Sequence, residues 1–286
     1  MTRVATFLEA IKFEHTIFAL PFAYVGMLLA ADGAPALGKI FWITVAMAGA
    51  RTLAMALNRL IDREIDARNP RTANRALPRG HLAPSEMAGY ALVAAAVLGI
   101  AAWRLNPLCL VLMPGAVVLL VGYSYTKRFT WLCHLALGAA IGLAPVGAWV
   151  AVTGTVDPRS LILWLAVGTW IAGFDVLYAC QDVEVDRAQH LYSIPARFGV
   201  GAALGISAAL HVVTVAALVW AGTLTGLGAA YWLAVGVAAV LLVYEHNLLR
   251  PHDLSRLNLA FFNVNGYIAL VLLAGVVGDF VPRWWR

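Results

Sequence analysis

Apolar residues along the chain gather into nine runs, at about 13 to 31, 38 to 59, 84 to 103, 107 to 124, 131 to 152, 160 to 180, 202 to 222, 228 to 248 and 260 to 281. Each comes near the ~20 residues a helix needs to cross a hydrocarbon core. Short connections with turn chemistry, such as Asp32-Gly33, Asn106-Pro107 and Asp157-Pro158, separate most of them. Two connections, 60 to 83 and 181 to 201, are longer and polar. The pattern predicts an all-α, polytopic membrane helix bundle of about nine transmembrane helices, forming a single domain over residues 1 to 286.

Composition strengthens that reading. Hydrophobic residues make up 62% of the chain and charged residues 12%, the latter about half of ordinary soluble usage, and the mean hydropathy is +0.81. A soluble fold of this length could not hide so much apolar surface, whereas a bilayer solvates it directly. The start of the chain has an apolar run without a small-residue cleavage pattern and polar mature domain behind it, so it reads as the first membrane helix. Cys109, Cys133 and Cys180 fall singly in or at the ends of apolar stretches, which leaves neither a disulfide framework nor a CxxC metal site in view.

The net charge of +5 points to topology rather than to nucleic acid, because the basic residues sit between apolar spans. With a cytoplasmic N-terminus, fourteen Lys and Arg fall on the cytoplasmic side and five on the other, with Arg51 inside a span. The positive-inside rule then puts both long polar loops in the cytoplasm. The expectation is a multi-pass protein of the inner (cytoplasmic) membrane whose chemistry faces the cytoplasm, with the lipid bilayer as its surroundings.

Both loops begin with acidic residues at helical spacing. Asn58, Asp62 and Asp66 recur every four residues, and steps of four advance only about 40° beyond a full turn, so the three share one helix face. Arg51 lies on nearly the same stripe. An arginine inside an apolar span marks an anion or an internal partner unless it snorkels to the surface. In the second cluster Asp175, Tyr178, Asp182 and Asp186 fall within a narrow stripe of a single predicted helix, with Glu184 off it. At one membrane boundary these faces would bring four carboxylates to a common vestibule. Their charges would repel unless something positive were bound. Mg²⁺ fits that need, since it takes carboxylate and amide oxygens and completes its shell with substrate phosphates. A third cluster, Tyr123 to Arg128, ends the fourth span, where Lys127 stands one turn from Tyr123 as a point charge for a phosphate oxygen. Tyr123 and Tyr178 also fit an interfacial aromatic belt, and His15 and His134 read as interfacial hydrogen-bonding residues.

Taken together, NxxxDxxxD at Asn58 to Asp66, YxxxK at Tyr123 to Lys127 and DxxYxxxDxxxD at Asp175 to Asp186 resemble the UbiA superfamily of intramembrane prenyltransferases along the whole chain. The resemblance implies that Asn58, Asp62, Asp66, Asp182 and Asp186 hold Mg²⁺ and diphosphate, and that Arg51 and Lys127 contact phosphate oxygens. It also implies that Asp175, Tyr123 and Tyr178 stand near the reacting carbon or the acceptor. The stretch FEHTIFALPFAY with RTLAMALNRLIDREID is similar to the 4-hydroxybenzoate polyprenyltransferase branch and to its relatives in menaquinone synthesis by the futalosine route. Glu14-His15 stand near where the ubiquinone-pathway enzymes show Lys-Pro, which keeps a dihydroxynaphthoate beside 4-hydroxybenzoate as acceptor.

The expected partners are therefore a polyprenyl diphosphate and a small hydroxylated aromatic acid, with Arg128 a candidate for the acid's carboxylate. Two other classes share the composition. A secondary transporter would place its charges near the midplane in broken helices, not at one membrane face. A lipid-head-group phosphotransferase would carry a Gly-containing acidic motif, which neither cluster has.

Overall fold

The computed structural model describes residues 3–12, 20–257 and 259–284. Glu14 and His15, on which the choice between acceptors turned, lie outside the described residues. The described chain is helical, with one isolated antiparallel bridge between Arg250 and Asp253. A short α1 (Arg3–Ala10) precedes α2 (Leu20–Ala31), α3 (Leu37–Ile61) and the small α4 (Arg63–Arg68). Then come α5 (Pro84–Leu105), α6 (Pro107–Thr126), α7 (Cys133–Thr153), α8 (Pro158–Ala179), α9 (Val183–Ala188) and α10 (Ile194–Phe198). The chain continues through α11 (Val200–Thr225), α12 (Ala229–Asn247) and α13 (Asn265–Trp284).

Seven of these helices are long and apolar enough to cross a bilayer, which makes the protein multi-pass. The first and last apolar runs appear among the described residues as the shorter apolar helices α2 and α13, so the expected count of nine spans rests on these two. Sequence punctuation sets many of the ends. Proline opens α5, α6 and α8 at the first helical position, where its missing N–H costs nothing. The Asn106 and Asp157 side chains cap the next free amides. Glycines in the left-handed region, Gly154 and Gly226, close α7 and α11.

Two helices break where the acidic residues begin. α3 stops at Ile61 and α4 resumes at Arg63, but the Asp62 and Asp66 amides still bond to the carbonyls four residues earlier, at 2.9 and 2.8 Å. Hence the Asn58, Asp62, Asp66 stripe survives the junction. The second stripe does not lie on a single helix. α8 ends at Ala179, a 3₁₀ turn spans Cys180–Asp182, and α9 starts at Val183. That tighter turn, at 3.0 residues per turn, rotates Asp182 and Asp186 relative to Asp175 and Tyr178.

α8 is the innermost span, burying Leu163, Val167, Trp170, Ile171 and Leu177, and it packs against α7 and α11. α6 is peripheral and buries only Ser124. Large apolar side chains such as Leu92, Val111, Val118, Leu233 and Val240 point outward, as lipid contact requires. One apolar core joins α2, α7, α8, α11, α12 and α13. A second, around Phe7, Ile11, Leu53, Met87 and Leu98, joins α1, α3 and α5. Asn265 packs between helices: it accepts from Trp170 Nε1 at 2.8 Å and donates to Glu245 at 2.8 Å.

Close backbone approach makes two glycines obligatory. A Cβ at Gly138 would meet the Gly168 carbonyl oxygen across the α7–α8 contact, and one at Gly26 would meet the Pro145 carbonyl across α2–α7. Overpacking of a well-packed contact costs ~1–3 kcal/mol. Gly138→Val is therefore expected to lower the apparent Tm of the detergent-solubilised protein by about 5 °C. Gly147→Ala, where an added Cβ has open space, serves as the control and should leave it unchanged. Equal Tm values for the two variants would contradict the packing.

Candidate active site

The ends of α3, α6 and α8, together with the loop after α4, enclose a cavity of about 1090 Å³. Asn58, Asp62, Asp66, Asp182, Asp186, Lys127 and Arg51 line its polar part, with Tyr123, Asp175 and Tyr178. Met55, Leu137, Ile141, Ile171 and Phe174 make the apolar part. Both aspartate faces thus open onto one space. Arg128 does not line it.

On the first face Asn58 Nδ2 donates to Asp62 Oδ2 at 3.0 Å and to Ser124 Oγ at 3.1 Å. Asp62 is 3% exposed. Lys127 Nζ reaches its Oδ2 at 2.8 Å, and Arg128 Nη2 approaches its Oδ1 at 3.4 Å. Arg128 also donates to the Ile61 carbonyl at 2.6 Å and lies over the Tyr125 ring. It therefore closes the C-terminal end of α3 from behind Asp62, where a cation also meets the helix dipole favourably. The two adjacent basic residues divide: Lys127 faces the cavity and Arg128 the helix end.

Asp66 is buried and holds Arg75 Nη1 at 2.8 and 2.7 Å through its two oxygens. Arg59, also buried, donates from Nε to the Ala10 carbonyl at 3.0 Å and from Nη1 to Asn58 Oδ1 at 3.3 Å. It ties α1 to α3. Arg51 donates from Nη2 to the Lys12 carbonyl at 3.3 Å, at the cavity wall.

On the second face Arg71 grips Asp182 with two donors, Nε to Oδ1 at 3.0 Å and Nη2 to Oδ2 at 2.5 Å. Asn69 adds a third bond to Asp182 at 2.9 Å. Burial opposes the Arg71 charge, but the Asp182 carboxylate more than offsets it and holds the guanidinium above its ordinary range. Arg71 Nη1 also donates to Tyr178 Oη at 3.0 Å, with the guanidinium 5.0 Å over the ring. Asp186 accepts from Ser193 Oγ at 2.8 Å, and Asp175 pairs with His134 at 2.7 Å.

The loop after α4 therefore bridges the two faces, through Asn69 and Arg71 to Asp182 and through Arg75 to Asp66. These residues escaped the sequence reading because a loop has no periodicity to mark which arginines point inward. Their signal was the density of arginines beside two carboxylate stripes. Basic side chains interleave with the carboxylates, so the aspartates converge on a cavity and not on a point. Among the described residues no three His, Cys, Asp or Glu side chains already surround one metal position.

Chemically, the polar part suits a polyanion and the apolar part a hydrocarbon chain. The sequence model of the UbiA prenyltransferase family matches residues 19–267. The chain is 35% identical over 252 residues to the 4-hydroxybenzoate solanesyltransferase of Synechocystis sp., a match covering 87% of this chain and 85% of that protein. An apo structure of a UbiA homologue from Aeropyrum pernix K1 superposes with a TM-score of 0.86 at 33% identity, covering 94% of this chain and 98% of that one. A UbiA homologue from Archaeoglobus fulgidus, bound to GPP and Mg²⁺, shares the fold at a TM-score of 0.70 and 18% identity, with 96% and 99% covered.

The Arg71–Asp182 pair is partly exposed, so solvent screening limits its worth to about 1 kcal/mol. Arg71→Leu is expected to raise hydrogen exchange of the amides in residues 69 to 75 about fivefold. Exchange in α7 should not change. Unaltered exchange in the loop would show that this pair does not hold it.

Proposed function

The chain belongs to the UbiA prenyltransferase family, and from that premise we propose that it transfers a polyprenyl chain from polyprenyl diphosphate to 4-hydroxybenzoate or a closely similar hydroxylated aromatic acid, as a step towards ubiquinone or menaquinone. The observation that carries this reading is the single cavity in which two aspartate faces, Lys127 and Asp175 meet above an apolar interior. The name of the Synechocystis relative supports the acceptor.

The donor set fits Mg²⁺. Asn58, Asp62, Asp66, Asp182 and Asp186 offer hard oxygen ligands along one cavity of about 1090 Å³. Magnesium, when bound, would neutralise charge developing on the departing diphosphate. Lys127, already 2.8 Å from an Asp62 oxygen, would donate to a phosphate oxygen, as would Arg51 and the Asn58 amide. The isoprenoid tail would run past Leu137, Ile141 and Ile171 towards the lipid.

The allylic fragment gains positive charge as the carbon–oxygen bond breaks. The Tyr123 and Tyr178 rings and the Asp175 carboxylate are disposed along the cavity to stabilise it. The acceptor carbon ortho to the hydroxyl attacks, and Asp175 stabilises the charge or takes the ring proton. Arg128, bonded to Asp62 and the end of α3, fits the orientation of Asp62 better than direct contact with the acceptor's carboxylate. By the excess of basic residues on their side, both loops and the cavity mouth face the cytoplasm of a nine-span protein in the inner membrane.

Two experiments test this. In nanodiscs, Asp62→Ala and Asp182→Ala should each lower turnover by about a hundredfold or more while the protein stays folded, and EDTA should silence the wild type. Near-normal turnover in a folded Asp62→Ala variant would defeat the site. In a competition at equal concentration, 4-hydroxybenzoate should outrun a dihydroxynaphthoate, and both should outrun uncharged phenols. Arg128→Ala should lower turnover of both acids alike, whereas a lost preference for acids would put Arg128 on the carboxylate instead.

A further inference from the structure

His134 stands in the first turn of α7, 3% exposed, with each ring nitrogen in a defined contact. Its Nδ1 lies 2.7 Å from Asp175 Oδ2. Its Nε2 receives the backbone N–H of Ile194 at 3.3 Å. A nitrogen that accepts from an amide carries no hydrogen. The hydrogen of the neutral ring therefore sits on Nδ1 and is donated to Asp175, so the backbone of α10 selects the tautomer.

The neighbouring residue makes a parallel contact. Ser193 Oγ donates to Asp186 Oδ2 at 2.8 Å, and Ser193 also caps α10. The dipeptide Ser193-Ile194 thus holds Asp186 directly and Asp175 through the imidazole. These two carboxylates are separated along the chain by the 3₁₀ turn, which alone does not fix their relative placement. Asp175 lines the cavity with its side chain 27% exposed, so without His134 it would have room to turn.

We propose that His134 is a positioning residue: it donates Nδ1–H to Asp175, fixes that carboxylate at the reacting end of the cavity, and registers it against Asp186 through Ser193-Ile194. The proposal rests on the prenyl-transfer reading for its kinetic consequence, though not for the hydrogen bonds themselves. A misplaced catalytic group costs on the order of a hundredfold in rate, and that loss would fall on the chemical step. Gln is the conservative replacement, because its amide offers an N–H for Asp175 and an oxygen for the Ile194 amide. Leu offers neither.

The test uses the full chain in nanodiscs. His134→Leu should lower kcat by about a hundredfold with the KM for the polyprenyl diphosphate within about twofold, and His134→Gln should recover most of the loss. In an Asp175→Asn background, His134→Leu should cost little more. Should His134→Leu fail to fold, the Gln variant and the tautomer decide. The tautomer is read by ¹⁵N-histidine NMR without substrate, with His134 assigned by its loss in His134→Gln, and should show Nδ1 protonated and Nε2 bare. Protonated Nε2, a wild-type kcat in His134→Leu, or the same penalty with Asp175 present or replaced would overturn the proposal. A wild type that prenylates no aromatic acid sinks the reading of the reaction, while the tautomer still judges the His134 contact by itself.

Discussion

Carboxylates gathered at the end of an apolar helix bundle must be neutralised locally, and much of the site follows from that constraint. Asp62 and Asp66 are buried, so neighbouring negative charges interact more strongly there than they would on a soluble surface. Asp62, Asp66 and Asp182 each answer it with a basic side chain at 2.5 to 2.8 Å. Two of those three cations, Arg71 and Arg75, come from one loop. The loop is consequently held over the cavity from both sides, and the electrostatics of the site double as the attachment of its roof. A ligand that brings its own phosphates and divalent cation would meet the same charges in the opposite pairing, carboxylate to metal and guanidinium to phosphate. The arrangement is suited to exchange partners because each carboxylate has a cation beside it in both states.

The helix breaks serve the same end. An uninterrupted α8 would carry Asp175 and Asp186 on one narrow stripe, with all its carboxylates stacked at α-helical spacing. The 3₁₀ turn at Cys180–Asp182 turns the chain as it leaves the apolar core, letting Asp182 meet Arg71 and Asp186 meet Ser193. At α3 the break is milder, since the four-residue hydrogen bonds continue through Asp62. Arg128 then takes the Ile61 carbonyl at the end of that helix.

Much of this was legible in the sequence because it depends on period. Apolar runs marked the helices, with prolines and glycines at several ends, and four-residue spacing marked Asn58, Asp62 and Asp66 as one face. Where the physics is not periodic, the sequence was silent. Nothing in the loop distinguishes Arg71 and Arg75, which line the cavity and reach its carboxylates, from Arg63 and Arg68, which do not line it. His134 was read as an interfacial residue, and only the approach of Ile194, 60 residues away along the chain, reveals the defined roles of its two nitrogens. The tightening at Cys180–Asp182 was likewise invisible, because an α-helix and a 3₁₀ turn share the same apolar residues over so short a stretch.

Helical rise sets the scale of the site. Seven residues separate Asp175 from Asp182, four rising ~1.5 Å each in α8 and three ~2.0 Å each in the 3₁₀ turn, about 12 Å along the axis. On the proposed reading, a diphosphate held at Asp182 and Asp62 directs its first prenyl carbon inward, towards the level of Tyr178 and Asp175. The tail beyond it enters the apolar region of Leu137, Ile141 and Ile171. Charge anchors one end and hydrophobic burial draws the other into the bundle, so the two forces act at opposite ends of one molecule and fix its direction. The reacting carbon is then held between them, at the depth where the cavity wall changes from carboxylates and arginines to aromatic and aliphatic side chains. A carboxylate is tolerable at that depth only with a donor of its own, and the buried imidazole of His134 supplies one to Asp175.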